Sequence, residues 1–386
     1  MSFFEEPQGA AVFKHALLRQ YLRPFVSKTG SRSGRKVAYL DAFAGAGAYD
    51  DGSPGSPQLA MATAEALSGI RELRCFFVES DKANFERLSG LIKQSSVAET
   101  ARAMRGDASD YLDEVMQQVA GLPLFAFVDP FGLGIPFNDL VGKLCKRTSW
   151  ANGRRDGPAT EILVNFVHAG VYRNASKIIV RSRDRVQRMN AAAVVERVNA
   201  TLGGNWWQDI WRSGASTDAL VASIRTAYAE RVVDAAGLGW RHYTVQVQDS
   251  WKGKPVYDLI LFTQHEQGLW VFNEATSLAR QEFREFCNAD AELTLWEPED
   301  EWVAALTGNV HQLLKSGRPI QVIQHIEAIY GATLGFARGT HLRKALRKLD
   351  RLGALAEPPK GEFDVMVVRP NPSGLPDLHE AGGLFD

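Results

Sequence analysis

The chain has 386 residues, 45% of them hydrophobic and 23% charged, and a formal net charge of −1. This is the composition of an ordinary globular protein, long enough for one large domain and a smaller one. No apolar run reaches the ~18 residues of a membrane span, and the acidic start lacks the pattern of an export signal. Three scattered cysteines argue against a disulfide framework and a cysteine metal site, so we expect a cytoplasmic protein without a metal.

The first half of the chain alternates apolar runs with helical patterns, which is typical of a parallel sheet with crossover helices. The predicted strands are VAYLDAF (37–43), LRCFFVES (73–80), LFAFVDP (124–130) and EILVNFV (161–167), with a short one before Asp107. The predicted helices are SPQLAMATAEALSG, KANFERLSGLIKQ, DYLDEVMQQVAG and PFNDLVGKLCKR. Because the strand ends of such a sheet share one crevice, we expect the ligand site there.

The second half begins with a helical insertion at about 173–236. RHYTVQVQ and PVYDLILFTQ then predict an antiparallel hairpin at the sheet edge, followed by a helix in GLWVFNEATSLARQEFREF. After an acidic linker come three short helices (301–314, 320–330, 340–352) and the strand VMVVRP, a winged-helix order. We therefore predict an α/β domain over 1–295, a winged-helix-like domain over 300–372 and a flexible tail over 373–386.

The first strand is followed by an acid and two glycines. Asp41, Phe43, Gly45 and Gly47 form the pattern D-x-F-x-G-x-G, in which the glycines let the backbone turn tightly and approach a ligand. The early acid and the absence of a third glycine distinguish it from a dinucleotide motif. It resembles the first motif of S-adenosylmethionine (SAM)-dependent methyltransferases, although a plain strand-to-helix turn is the alternative.

Two more acids follow the next two strands. Glu79 ends FFVE, where a carboxylate can accept both ribose hydroxyls of a nucleoside cofactor. Asp107 follows the third strand, where such folds commonly place an acid near the adenine amino group; it can equally be a helix cap. Together with Asp41, these acids at three successive strand ends predict a SAM site.

The fourth strand ends in Asp129-Pro130-Phe131-Gly132. Methyl transfer to an exocyclic amine needs alignment more than strong base catalysis. Asp129 and the carbonyl of Pro130 can accept the two amine hydrogens, and Phe131 or Phe137 can stack on an extruded base. A strand-ending turn without chemistry is the alternative.

Other enzyme classes lack their motifs. Asp-Phe-Gly kinases require a Gly-rich hairpin, a strand lysine and a His-Arg-Asp loop, and hydrolases require His or Ser motifs that do not occur here. His168 follows the fifth strand and is a further candidate for lining the site.

Two stretches are strongly basic. Residues 141–190 hold eleven Lys or Arg residues against three acids, and residues 311–350 hold seven against two. Either stretch alone can be explained as a solvated helix face. The presence of two basic stretches in a chain with the motifs above favours a polyanionic partner such as DNA or RNA.

With these motifs in order, the chain resembles the three-Cys-motif partner (TcmP) family of bacterial and phage-associated proteins. The similar segments are FKHALLRQYL, YLDAFAGAGAYDDGSPGSPQLA, FFVESD, FAFVDPFGLGIPF, EILVNF and GTHLRKALRKLDRLGAL. The resemblance implies a methyltransferase-like domain, a C-terminal winged-helix-like region and a separate partner protein with the cysteine motif.

The chain is more distantly similar to adenine-N6 methyltransferases of ribosomal RNA, over the N-terminal helix, AFAGAG and the Asp-Pro motif. That similarity implies a role for Lys14 near the carboxylate of the cofactor. The sequence departs from those enzymes where they have a second proline.

The predicted fold class is a Rossmann-like class I methyltransferase sheet with a helical insertion. The leading hypothesis is a SAM-dependent methyltransferase acting on an exocyclic amine of a nucleic-acid base, adenine N6 being favoured. One rival is a non-catalytic SAM- or nucleotide-binding adaptor that brings a three-Cys-motif protein to nucleic acid. Another is a DNA-binding regulator that senses a small ligand.

Overall fold

A computed structural model describes residues 9–147, 149–151, 154–168, 170, 185–250, 253–287 and 298–377. The chain forms two compact units, Met1–Gln264 and His265–Asp386. Among the described residues, no helix combines the length and the apolar character needed to cross a membrane.

The first unit is built on a seven-stranded sheet. Its strands are β1 (Lys36–Asp41), β2 (Glu72–Glu79), β3 (Ala101–Arg105), β4 (Leu124–Val128), β5 (Thr160–Val167), β6 (Arg241–Gln248) and β7 (Pro255–Thr263). Their order across the sheet is β3-β2-β1-β4-β5-β7-β6, and β7 runs opposite to the other strands. This order confirms the predicted Rossmann-like class I methyltransferase sheet.

The strands form where the sequence has apolar runs that are buried on both faces. All five residues of β4 are buried, and its register with β1 and β5 pairs Ala126 with Leu40 and Ile162. The predicted strands agree with the observed ones to within two residues at each end. The short strand before Asp107 is confirmed as β3, and the hairpin is confirmed as β6 and β7.

Helices cover the sheet of the first unit. They are α1 (Gly9–Gly30), α2 (Ser56–Leu67), α3 (Lys82–Gln94), α4 (Ala108–Gln118), α5 (Arg185–Leu202), α6 (Trp207–Arg212) and α7 (Thr217–Ala236). The predicted helix PFNDLVGKLCKR is observed as one helical run, which is α-helical at Phe137–Asp139, π-helical at Leu140–Leu144 and 3-10 helical at Cys145–Arg147. A small hairpin, Ser149–Ala151 with Arg154–Asp156, precedes β5.

Helix α1 packs on the sheet through aromatic rings. The Tyr21 and Phe25 rings lie 5.3 and 5.7 Å from the Phe125 ring of β4. Aromatic pairs at these separations add to the free energy of apolar burial. This packing fixes the C-terminal half of α1 on the first residues of β4, and the contact of Lys14 with Asp129 places the N-terminal half beside the end of the strand.

The second unit contains α8 (Glu266–Phe286), α9 (Glu299–Leu314), α10 (Ile326–Tyr330) and α11 (Gly339–Arg351). Two short strands, β8 (Ile320–Gln321) and β9 (Val367–Val368), pair antiparallel. The helix expected from residue 320 therefore starts only at residue 326, because Ile320 pairs with Val368 and lies in the ladder.

Helix α8 belongs to the second unit, although the sequence analysis assigned it to the first domain. The Asn273 side chain of α8 donates to Ala337 O at 3.0 Å and accepts from Gly335 N at 2.6 Å. Because both the donor and the acceptor of this buried amide are hydrogen-bonded, Asn273 anchors α8 to the segment before α11.

Candidate active site

A pocket opens at the carboxyl ends of β1 and β4. Its lining includes Lys14, His15, Phe43, Gly45, Gly47, Tyr49, Gly55, Ser56, Asp129 and Phe131. Six of these residues were predicted from the sequence, namely Lys14, Phe43, Gly45, Gly47, Asp129 and Phe131. The structure therefore brings the glycine turn and the Asp-Pro-Phe segment to one place.

The two glycines of the turn have different surroundings. Both have a positive φ, +64° at Gly45 and +87° at Gly47, which glycine adopts without steric cost. A Cβ added to Gly45 would meet no atom within 4 Å, whereas one on Gly47 would lie 2.9 Å from Leu91 Cδ1. Gly45 thus leaves space for a ligand, and Gly47 allows the turn to pack on α3.

Glu79 holds the glycine turn from the end of β2. Its Oε2 accepts from Gly45 N at 2.7 Å, and its Oε1 accepts from Asp81 N at 2.7 Å. A carboxylate offers about four acceptor positions, so Glu79 retains capacity for further donors. It is buried and is not among the residues that line the pocket.

Asp41 lies behind the turn and is fully buried. Its carboxylate accepts from Phe43 N at 3.2 Å and from the Tyr39 hydroxyl at 3.3 Å, and it hydrogen-bonds with the Ser56 side chain. Burial raises the pKa of Asp41 to about 7, and the negative charge of Asp129 acts in the same direction. Asp41 therefore supports the turn rather than lining the pocket.

Asp107 occupies the N-cap position of α4, but its side chain makes no capping hydrogen bond. It is exposed, and it follows Gly106, whose N–H donates to Glu79 O at 3.1 Å. The geometry thus places Asp107 next to the end of β2 with its carboxylate unused as a cap. It does not line the pocket of the glycine turn.

Asp129 is held by residues from two other elements. Lys14 Nζ of α1 lies 2.5 Å from Asp129 Oδ2, and Asn165 Nδ2 of β5 donates to Asp129 Oδ1 at 2.6 Å. The Lys14 and Asp129 side chains are 13% and 14% exposed, so water screens this ion pair weakly. Lys14, which the sequence analysis connected to the cofactor carboxylate, is paired with the proposed catalytic carboxylate.

The residues after Asp129 differ in exposure. Pro130 is buried, whereas the Phe131 side chain is 58% exposed and lines the pocket. The alternative ring, Phe137, packs against Tyr228 with ring centroids 6.4 Å apart and contacts the turn at Gly203. Phe137 therefore packs beneath the segment and does not line the pocket of the glycine turn.

No family model and no curated protein matches the sequence. Among solved structures, the chain is similar to an O-methyltransferase from Bacillus cereus in complex with SAH, at 14% identity over 63% of this chain and 80% of that one, with a TM-score of 0.31. It is similar to the O-methyltransferase TomG from Streptomyces achromogenes in complex with SAM, at 12% identity over 68% and 91% with a TM-score of 0.30. An RNA methyltransferase from Salinibacter ruber in complex with S-adenosyl-L-homocysteine matches 37% of this chain and 74% of its own at 14% identity and a TM-score of 0.23. These likenesses concern the fold and carry no conclusion about substrate.

Several pocket residues were missed by the sequence analysis. Burial lowers the pKa of His15 to about 3, and the adjacent Lys14 charge adds to the effect; the His15 ring lies 5.7 Å from the Tyr49 ring. Gly55 donates its N–H to Gly47 O at 3.0 Å, which brings Ser56 to the pocket. The repeated Gly-Ser-Pro was the available signal for Ser56; His15 and Tyr49 had none.

His168 has a buried carboxylate as its partner. Its Nε2 lies 2.6 Å from Asp258 Oδ2, and Arg225 Nη1 lies 3.3 Å from Asp258 Oδ1. His168 thus belongs to a charged cluster with Asp258 on β7, and it lines neither the pocket of the glycine turn nor a metal site among the described residues. Most of the basic stretch 141–190 lies outside the described residues or is described without its side chains.

Proposed function

We propose that the protein is a SAM-dependent methyltransferase that modifies an exocyclic amine of a nucleic-acid base, adenine N6 being favoured. The observation that supports this most is one pocket lined by both Gly45 and Asp129. The first belongs to the methyltransferase-like glycine motif, and the second can accept an amine hydrogen. SAM supplies a methyl group on a sulfonium sulfur, and the protein's part is to align the amine with it.

The residues around the glycine turn fit such a cofactor. Gly45 leaves open space where any side chain would project, Glu79 keeps acceptor positions for ribose hydroxyls, and the Asp107 carboxylate is unused as a cap. An ammonium group carries three donors, so Lys14 can hold Asp129 and still donate to a carboxylate of the cofactor. Asp41 and Phe43 would act by shaping the turn.

On the substrate side, Asp129 and the Pro130 carbonyl would each accept one amine hydrogen. The exposed ring of Phe131 would stack on the base. Lys14 and Asn165 donate hydrogen bonds to Asp129. These bonds fix the orientation of the Asp129 carboxylate, and the ammonium group of Lys14 partly neutralises its charge. A preoriented acceptor of this kind fixes the amine nitrogen without removing its proton beforehand.

We further propose that the second unit is a winged-helix-like domain that holds the nucleic-acid backbone, and that the protein belongs to the TcmP family. Helices α9, α10 and α11, with the short antiparallel ladder of β8 and β9, support the first proposal. Residues of three family-like segments, FKHALLRQYL, YLDAFAGAGAYDDGSPGSPQLA and FAFVDPFGLGIPF, line the pocket, where Gly55 and Ser56 lie beside Gly47. A separate three-Cys-motif protein would then be the partner.

One observation favours the alternative of a non-catalytic adaptor. Both carboxylate oxygens of Asp129 already accept hydrogen bonds, from Lys14 and from Asn165. If these bonds are permanent, the same pocket binds SAM or a nucleotide without transferring a methyl group, and the protein recruits its partner to nucleic acid.

The decisive experiment measures SAM binding by calorimetry and transfer of a labelled methyl group to DNA and RNA. We expect binding, and transfer that falls at least about 100-fold in Asp129→Ala, a loss typical of a positioned acid–base group. The affinity for SAM should change little, and Asp110→Ala on the exposed face of α4 should behave as the wild type. Absence of SAM binding would refute the proposal, and binding without transfer would support the adaptor.

A further inference from the structure

The side-chain oxygen of Asn165 is a buried acceptor with no hydrogen-bond partner among the described residues. Asn165 lies in β5 and is 6% exposed. Most buried polar atoms in folded proteins are hydrogen-bonded, because a buried unpaired atom has lost the hydrogen bonds that it made with water in the unfolded state. An unpaired acceptor beside the proposed catalytic carboxylate is a group that a donor on a ligand could satisfy.

The orientation of the Asn165 amide follows from its partner. Asp129 Oδ1, 2.6 Å from Asn165 Nδ2, is a carboxylate oxygen that accepts and does not donate. The amide must therefore turn its NH2 group towards Asp129. Its oxygen, Oδ1, is then left for another donor.

Asn165 also contributes to the lining of a second cleft. This cleft, which we call the rear cleft, is lined by residues that include Gly132, Leu133, Asn165, Phe166, Leu202 and Tyr228. It shares no lining residue with the pocket of the glycine turn, yet Phe131 and Gly132 are consecutive. The segment after Asp129 thus has the glycine turn on one side and an almost entirely apolar cleft on the other.

We propose that Asn165 Oδ1 is the second acceptor for the substrate amine, taking one hydrogen while Asp129 takes the other. This inference rests on the proposed function, and it gives Asn165 the acceptor role assigned above to the Pro130 carbonyl. The matching ligand is a flat, largely apolar ring that carries an NH2 group. Two acceptors side by side repel a ring carbonyl at the same place, so the pair selects adenine against hypoxanthine.

The test replaces Asn165 by leucine, which has a similar size and suits the apolar cleft. Binding is measured with three single-stranded oligonucleotides of equal length, made of adenine, hypoxanthine or unsubstituted purine bases, in DNA and RNA form. Because the phosphates are the same, the ratios of the affinities report the base edge. Asn138→Leu, the same change at an exposed position, is the control.

We expect the wild type and Asn138→Leu to bind the adenine oligonucleotide about 100-fold more tightly than the purine one, because the missing amine removes two hydrogen bonds worth about tenfold each. Asn165→Leu should reduce this ratio to about tenfold, since Asp129 still accepts one hydrogen, and its methyl transfer to adenine should fall at least about tenfold with unchanged SAM affinity. Equal ratios in the wild type and Asn165→Leu would overturn the inference, as would an equal loss of affinity for all three oligonucleotides.

The two proposals fail in different ways. Wild-type protein that transfers no methyl group but distinguishes adenine from purine through Asn165 would refute the enzyme and support the acceptor. If the wild type transfers methyl groups and Asn165→Leu does so at the same kcat/KM, the methyltransferase proposal is supported and the acceptor role of Asn165 is refuted. A thermal midpoint of Asn165→Leu well above the assay temperature, even if lowered by the lost hydrogen bond to Asp129, excludes unfolding as the cause of any loss.

Discussion

Asp41 ends β1 and Asp129 follows the neighbouring strand β4, but the two carboxylates have different surroundings. Asp129 has the ammonium group of Lys14 at 2.5 Å. Asp41 is fully buried and has hydroxyl and backbone donors, and burial raises its pKa to about 7. Near neutral pH Asp41 is therefore partly protonated in the folded protein.

The raised pKa of Asp41 predicts how the stability of the protein depends on pH. The pKa of Asp41 is raised from its ordinary value of 3.8 to about 7 in the folded protein. Between those values the folded state binds more protons than the unfolded state, so the free energy of unfolding falls as the pH rises, by up to about 1.4 kcal/mol per pH unit. Above pH 7 the loss is complete.

Urea unfolding of the wild type and Asp41→Asn at pH 5, 6, 7 and 8 tests this. The wild type should lose roughly 2–3 kcal/mol relative to the variant between pH 5 and 7, and little between pH 7 and 8. His15, whose pKa is lowered, makes stability rise with pH up to its unfolded pKa, but it is present in both proteins and cancels. A stability difference that is constant over this range contradicts the prediction.

Single residues mark the limit of sequence interpretation. Asp129 could be assigned because a carboxylate after an apolar strand stands out. Asn165 could not, because a polar residue within the buried strand EILVNF carries no sign of which side chain it meets. The Lys14–Asp129 pair joins residues 115 positions apart, and no periodicity or local spacing predicts such a contact.

Among the elements, the strands were predictable and the exact helix limits were less so. Strands such as β4 are continuous apolar runs, because both faces of the sheet are covered. The segment Phe137–Arg147 has the apolar spacing of a helix and is helical throughout, but its hydrogen bonds change from the α to the π and then the 3-10 pattern, which no sequence periodicity shows. Local pattern sets the element type, and tertiary packing sets its ends.

The glycine turn yields a prediction that separates binding from folding. Gly45→Ala places a methyl group in the space left for the cofactor and forces alanine into a left-handed conformation, which costs about 1 kcal/mol. Gly47→Ala has the same backbone cost and also a methyl group 2.9 Å from Leu91 Cδ1, an overpacking that costs about 1–3 kcal/mol more.

Calorimetry with SAM and urea unfolding should therefore rank the two variants in opposite orders. Gly45→Ala should lose more affinity for SAM, and Gly47→Ala should lose more stability. The pair is its own control, since both changes add one methyl group to one turn. A loss of SAM affinity in Gly47→Ala as large as in Gly45→Ala would show that Gly45 does not face the cofactor.

At the scale of the molecule, the second unit presents a basic helix, α11. The four basic residues of GTHLRKALRKL divide into two groups. Arg343 lies 4.2 Å from the Phe363 ring centroid and donates to Gly361 O, and Lys344 pairs with Glu299. Arg347 and Lys348 are exposed, and no side-chain partner of theirs is found in the described part of the chain.

We therefore expect Arg347→Glu/Lys348→Glu to weaken binding of DNA or RNA and to lower the slope of log K against log salt concentration by about two. The matched control is Arg23→Glu/Lys28→Glu, the same charge change on exposed residues of α1. Fluorescence anisotropy at several salt concentrations measures both. An unchanged slope in the α11 variant would make this face an ordinary solvated surface.

The attachment of α1 has a consequence for biosynthesis. The Tyr257 hydroxyl on β7 donates to Ala10 O, 247 residues earlier in the chain, and Lys14 meets Asp129 only after β4 is made. At roughly 5–20 residues per second, α1 waits about 12–50 seconds for Tyr257 to be translated. Throughout that time the apolar face of α1 lacks the residues that finally cover it, so we expect chaperones to bind the nascent chain. We expect the pocket to form only once β7 has left the ribosome.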